Sequence, residues 1–336
     1  MKEFTIRSSD GKTDLACYKW EPELAPGEKP KAVLQIIHGM SEYLMRYEDF
    51  ATWLSIHGIV VVGDDHLGHG KTAKTKDDLG YFGKRDGWLH FVKDEHLLRK
   101  HVQADYPDVP YIIMGHSMGS FILRALLAME DTKGLAGAVI MGTAGNNKAL
   151  GGGHALAKTL RRINGDKNRS KLITMMAFGS YTRKIKNPVN TWAWLSRDEN
   201  IAIKAYNDPM HNWRFTLAGY CDLFSMLEFI QTDACMKAYN KDLPMLLVSG
   251  WEDPVGNYGQ GPAEVADRLE NFGCNVNLVL YEDMRHEVLN EIGKLTVWED
   301  IRDYIFDMAD GNCVREDIDV RLHPENCSCP ECSPKQ

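Results

Sequence analysis

Gly115-His116-Ser117-Met118-Gly119 lies between a short apolar run, Tyr111 to Met114, and a segment where Met118, Phe121, Ile122, Ala125, Leu126 and Met129 recur at i, i+3, i+4, i+7, i+8 and i+11. The first run has the length of a buried strand, and the second has the period of a helix with one apolar stripe. A strand must therefore turn into a helix within five residues, with the stripe expected to face a sheet. So sharp a turn puts Ser117 in strained backbone, and glycines two residues to either side relieve the crowding and leave the hydroxyl exposed. The hydroxyl also sits at a helix amino terminus, whose unpaired N–H groups favour a developing negative charge.

The same alternation runs along most of the chain. Strands are expected at Ala32 to Ile37, Ile59 to Gly63, Tyr111 to Met114, Ala138 to Met141, Met245 to Ser249 and Val276 to Tyr281. Helices are expected at Arg46 to His57, Trp88 to Asp105, Met118 to Met129, Pro262 to Phe272 and Val297 to Met308. This is the pattern of a mostly parallel, doubly wound α/β sheet covered on both faces. Phe4 to Arg7 and Asp14 to Tyr18 alternate more weakly and suit an antiparallel edge hairpin. From residue 145 to 242 the strand rhythm stops, and a structureless loop of that length would be improbable, so a mainly helical insertion is expected there. The chain divides into a first core part (1–144), the insertion (145–242), a second core part (243–310) and a cysteine-containing tail (311–336).

Composition narrows the partners. The chain carries 39 Lys and Arg against 47 Asp and Glu, a net charge of −8, which argues against a nucleic-acid partner. No apolar run approaches the roughly 18 to 20 residues of a membrane span, and Met1-Lys2-Glu3-Phe4 opens no signal-peptide core, so a soluble, cytoplasmic protein is expected. Its eight cysteines are expected to be thiols.

A Ser hydroxyl becomes a useful nucleophile when a positioned base takes its proton and an acid holds that base in the right tautomer. On a strand-turn-helix scaffold of this kind the order along the chain is Ser, acid, His. Only His286 and His323 follow the later strands, and His323 lies in the tail, so His286 is the candidate base. The acid should follow the preceding strand, where Glu252 and Asp253 stand; Asp253 is preferred and Glu252 is the fallback. An oxyanion would be met by two backbone N–H groups, one from Met118 and one from Met40 in the loop His38-Gly39-Met40-Ser41-Glu42. His38 and His116 read as hydrogen-bonded wall residues. His66 and His69 could suggest a metal, but no matching third ligand accompanies them.

Taken together, His38-Gly39-Met40-Ser41-Glu42, Asp65-His66-Leu67-Gly68-His69-Gly70-Lys71-Thr72, the elbow at Ser117, Trp251-Glu252-Asp253-Pro254-Val255 and His286-Glu287-Val288-Leu289-Asn290-Glu291 resemble the monoacylglycerol lipase and lysophospholipase branch of the α/β-hydrolases, the serine aminopeptidase-like hydrolases, over roughly residues 30 to 308. The resemblance implies nucleophile, acid and base at Ser117, Asp253 and His286. It also implies a lid made by the insertion, a single-chain lipid ester such as a monoacylglycerol or lysophospholipid as the small amphiphilic substrate, and no metal or organic cofactor. Trp194-Leu195-Ser196-Arg197-Asp198, and Asp208-Pro209 followed by Phe215-Thr216, are similar to lid motifs of bacterial members. An aminopeptidase or amidase of the same fold, needing an acidic pocket for the substrate amine, and a non-catalytic hydrolase-fold binding protein are the alternatives.

Between Lys158 and Lys186 nine Lys or Arg accompany one acidic residue, Asp166, among apolar side chains. Such a segment suits either a solvated lid face or peripheral contact with an anionic membrane surface. The aromatic and Met residues of the insertion suit its own small core, with a minority left to face substrate. In the tail, Cys327, Cys329 and Cys332 with His323 or Cys313 offer a zinc set, though without the paired spacing of common zinc sites.

Overall fold

The computed structural model describes residues 1–311. The tail candidates Cys313, His323, Cys327, Cys329 and Cys332 lie outside the described residues.

Eight strands form one sheet: β1 Lys2–Arg7, β2 Asp14–Trp20, β3 Ala32–Ile37, β4 Ile59–Asp65, β5 Tyr111–His116, β6 Leu135–Met141, β7 Met245–Gly250 and β8 Val276–Tyr281, in the order β1-β2-β4-β3-β5-β6-β7-β8. The expected edge hairpin is present: β1 runs antiparallel to β2, and β2 antiparallel to β4. From β4 to β8 every pairing is parallel.

Parallel strands buried on both sides read as continuous apolar runs, and their alternate residues serve opposite layers. Val60, Val62, Tyr111 and Ile113 join the core packed by helices α2 Trp88–Asp105, α3 Met118–Met129 and α9 Gln260–Asn271. Ile59, Val61, Ile112 and Met114 join the opposite core, under α1 Glu48–Ile56 and α10 Lys294–Ala309. The helix expected from Arg46 begins instead as a 3-10 turn at Leu44–Tyr47, and α1 starts at Glu48.

The insertion between β6 and β7 holds five helices: α4 Leu150–Asn164, α5 Lys171–Phe178, α6 Glu199–Asn207, α7 Leu217–Ile230 and α8 Asp233–Lys237. Four of them open on capping side chains, Ser170, Asp198, Thr216 and Thr232, each accepting a backbone N–H of the first turn. This insertion corrects the expectation for α3. Because α7 packs over α3, that helix is buried all round from Met118 to Leu127, Ser120 and Arg124 included, whereas Met129 at its end is 42% exposed. Arg124 donates to Thr143 Oγ1, to the carbonyl of Ala144 and to the carbonyl of Ile230, tying the approach to the insertion and the end of α7 to α3.

Cys17, Cys221, Cys235 and Cys274 are buried free thiols. Among the described residues no helix is long and apolar enough to cross a membrane.

Candidate active site

Ser117 follows β5 directly and caps α3 with φ 54° and ψ −120°, a left-handed backbone that costs a residue with a side chain of order 1–3 kcal/mol. The surroundings enforce it. The Ser117 N–H donates to the carbonyl of Met141, and its own carbonyl accepts from the Ser120 N–H and hydroxyl. A side chain at Gly119 would meet the Ile37 carbonyl oxygen at 2.0 Å, and one at Gly115 would meet that of Gly119 at 2.3 Å. The two glycines therefore answer close backbone approach rather than strain of their own.

Asp253 and His286 lie in the loops after β7 and β8, as expected. His286 Nδ1 is 2.9 Å from Asp253 Oδ2, and both side chains are buried. The other carboxylate oxygen accepts the Val255 N–H, and Ser249 Oγ donates to the shared one at 3.3 Å. An ionised carboxylate only accepts, so Nδ1 carries the proton and Nε2 is left with its lone pair. That Nε2 is buried and makes no hydrogen bond within the described residues. Glu252, the fallback acid, points away, half-exposed and 3.6 Å from Arg285 Nε.

Gly142 joins Ser117 to the imidazole: it follows Met141, the acceptor of the Ser117 N–H, and a methyl group on it would lie 3.1 Å from His286 Cε1. Ser117 and His286 thus adjoin the neighbouring residues Met141 and Gly142, and their side chains make no hydrogen bond here. A contact of this kind commonly tightens only when substrate is bound.

Met118 opens α3, where a backbone N–H has no partner within the helix. The loop of Met40 lies against Ser117, since a methyl on Gly39 would come 3.1 Å from Ser117 Cβ. Both expected oxyanion donors are therefore on segments adjoining the serine.

His38 and His116 are buried and hydrogen-bonded. His38 Nδ1 is 2.8 Å from the Gly39 carbonyl, and its Nε2 accepts the His66 N–H. The structure does not bring His66 and His69 together as a metal pair. His66 instead groups with Asp64 and Glu95, all three buried and with their ligand atoms within 4.8 Å of one another, and its Nδ1 lies 3.1 Å from a carboxylate oxygen of each, the distance of a hydrogen-bonded ion pair. Its Nε2 faces the His38 carbonyl, so both ring nitrogens meet acceptors. Burial opposes the charge on His66, but the two carboxyl groups raise its pKa well above the ordinary histidine value.

Sequence reasoning missed the role of Trp194 at this site. Its ring centroid is 5.0 Å from that of His286, its carbonyl accepts the His286 N–H at 3.5 Å, and the neighbouring Leu195 carbonyl accepts the Glu287 N–H at 2.7 Å. The insertion thus contacts the His286 loop with both a side chain and backbone.

A buried Asp–His pair beside a serine in left-handed backbone at the end of a central parallel strand, together with this sheet order, defines an α/β-hydrolase. Residues 28–293 match the family described as serine aminopeptidase, S33, and the chain belongs to it. It is 27% identical over 297 residues to a monoglyceride lipase homolog of Monkeypox virus, covering 87% of this chain and 94% of the viral protein. It is 26% identical over 283 residues to a monoacylglycerol lipase of Mycolicibacterium smegmatis, covering 83% and 90%. Among solved structures, a thermostable carboxyl esterase from Bacillus coagulans, crystallised with glycerol, superposes with a TM-score of 0.83 at 30% identity, over 93% of this chain and 99% of the esterase.

Proposed function

We propose that this hydrolase cleaves carboxylic esters of single-chain lipids, of the monoacylglycerol or lysophospholipid type, through a serine acyl-enzyme. The observation that carries the reading is the buried Asp253–His286 contact, which leaves Nε2 of His286 buried and without a hydrogen-bond partner. Ser117 Oγ attacks the ester carbonyl carbon as its proton passes to His286 Nε2. The tetrahedral oxyanion accepts from the Met118 and Met40 amides, each contributing about 3 kcal/mol to the transition state. Collapse expels the alcohol, which takes the proton from His286. Water, deprotonated by the same nitrogen, then releases the fatty acid and restores Ser117.

The names of the viral and mycobacterial relatives and the glycerol in the esterase structure support an acylglycerol substrate. In this reading the helical insertion covers the site. Its outer face, with Ile163 73% and Met175 63% exposed beside Arg162, Lys171 and Met176, meets anionic lipid. Two of the basic residues serve another purpose: Arg161 pairs with Asp166, and Arg169 donates to the carbonyls of Lys76 and Leu79, fastening the insertion to the core.

A fluorophosphonate probe should label the wild type and fail to label Ser117→Ala. A panel of monoacylglycerols, lysophospholipids and aminoacyl arylamides then assigns the substrate. A wild type that resists the probe sinks the reading, and faster turnover of the arylamides moves it to an aminopeptidase.

A further inference from the structure

Behind the site lies a ring of buried charges that the reaction above leaves unused. Arg46, in the 3-10 turn after β3, donates from Nη1 to Glu42 Oε2 at 2.6 Å and to Glu287 Oε1 at 2.7 Å, and from Nη2 to Glu287 Oε2 at 2.8 Å. Glu42 Oε1 accepts the Gly39 N–H, one residue before Met40, and also the Tyr47 hydroxyl. Glu287 is the residue after His286. His116, the residue before Ser117, places Nε2 3.2 Å from the His286 carbonyl and Nδ1 2.9 Å from the Tyr47 oxygen.

The acceptors around His116 favour a proton on both ring nitrogens. The His286 carbonyl can only accept, so His116 Nε2 carries a hydrogen. Tyr47 has one hydroxyl hydrogen, which it gives to Glu42. With that hydrogen on Glu42, His116 Nδ1, facing the Tyr47 oxygen and, at 3.4 Å, Glu42 Oε1, meets acceptors alone, an arrangement that favours a proton there too. In this arrangement His116 is an imidazolium, and the ring sets two cations, Arg46 and His116, against two carboxylates, Glu42 and Glu287. The surroundings agree. Burial would lower the His116 pKa, but the Glu42 hydrogen bond and the charges of Glu42 and Glu287 raise it above the ordinary value. Burial would raise the carboxyls, but His116 and Arg46 hold Glu42 well below the usual range, and Arg46 holds Glu287 below it. His211, facing Arg46 and Glu287 from the insertion, is pushed down to about 4 by burial and then by Arg46, so it adds no charge. A cavity of about 10 Å³ opens on Glu42, Tyr47, His116 and Glu287, room for one water and for no substrate group.

We propose that Arg46 and His116 are positioning residues for ester hydrolysis: through Glu42, Glu287 and Tyr47 they lock the loop presenting the Met40 amide to the segment carrying His286. The proposal rests on the serine-hydrolase reading. Arg46 spans a sequence gap of 241 residues to Glu287, and its planar fork fixes both distance and orientation, which a lysine could not reproduce. The imidazolium holds the His286 backbone from the Ser117 side.

The test measures hydrolysis of p-nitrophenyl butyrate from pH 5 to 10, the second-order rate of fluorophosphonate labelling, and melting temperature, for wild type, Arg46→Lys and His116→Gln. Arg46→Lys should lose tenfold or more in kcat with KM within threefold. His116→Gln retains a donor for the His286 carbonyl but cannot titrate. The wild type should lose kcat on the alkaline side with an apparent pKa above 6.5, as Nδ1 surrenders its proton, and His116→Gln should lack that inflection. Arg46→Lys with kcat within twofold of wild type, or superimposable alkaline limbs for wild type and His116→Gln, would overturn the proposal. Should Arg46→Lys unfold, the comparison of alkaline limbs still decides. A wild type inert to fluorophosphonate breaks the underlying reading instead.

Discussion

Gly142→Ala perturbs the site through a single methyl group. Gly142 has φ +60°, and an added Cβ would lie 3.1 Å from His286 Cε1, 3.3 Å from His286 Nδ1 and 3.3 Å from His116 Cδ2. Two costs follow. The left-handed backbone penalises alanine by about 1 kcal/mol, or roughly 2 to 4 °C in melting temperature. The imidazole must also retreat by about 0.3 Å to restore ordinary van der Waals contact, while Asp253 grips its Nδ1 at 2.9 Å and Trp194 backs it. If a 1 Å misplacement costs about a hundredfold, 0.3 Å on a logarithmic scale costs about fourfold in kcat. Gly273→Ala isolates the first cost, because its φ is +79° and nothing lies within 4 Å of the added carbon. With kcat for p-nitrophenyl butyrate normalised by active-site titration, both variants should melt earlier by similar amounts and only Gly142→Ala should slow. Equal slowing in both, or unchanged kcat in Gly142→Ala, would refute the claim that the bare backbone of Gly142 leaves the imidazole the room it needs.

Two other expectations concern the insertion. Asp222 on α7 is buried and accepts the Gly87 N–H at the start of α2, and burial lifts its pKa to about 7 from an ordinary 3.8. The folded protein then binds a proton that the unfolded chain releases, so this contribution to stability is present below about pH 4 and is lost as pH rises through 7. Asp222→Asn should flatten the fall of melting temperature between pH 5 and pH 8, and an unchanged slope would exclude Asp222 as its source. Binding to vesicles containing anionic lipid should weaken as salt rises and weaken again in Met175→Glu; salt-independent binding would remove the electrostatic part of that contact.

The layers were legible because buried parallel strands leave apolar runs and the helix on Ser117 leaves a stripe. Ala32–Ile37, Val276–Tyr281, Trp88–Asp105 and Met118–Met129 have the bounds the pattern implies. The order of Ser117, Asp253 and His286 was legible because each follows a strand of one sheet. The all-round burial of α3 was not, because its second cover, α7, begins some 90 residues later and no local period reports it. Trp194 and the Arg46 ring stayed hidden for a similar reason. A tryptophan in a helical insertion reads as core, and the link from Arg46 to Glu287 is a distance in space with no trace in spacing. Glu42 and Arg46 did stand four residues apart, a separation that suits an ion pair on a helical turn, but nothing in it pointed across the molecule.

The backbone contacts of Trp194 and Leu195 with residues 286 and 287 come from the stretch between α5 and α6, so the proposed roof and the loop of the proposed base share two hydrogen bonds. On the proposed reading, an opening that moved this stretch would break both bonds, so admission of a guest and slackening of the imidazole would be one event. Water entering with the gate ajar would then meet a blunted base, and full reactivity would return once the guest is enclosed.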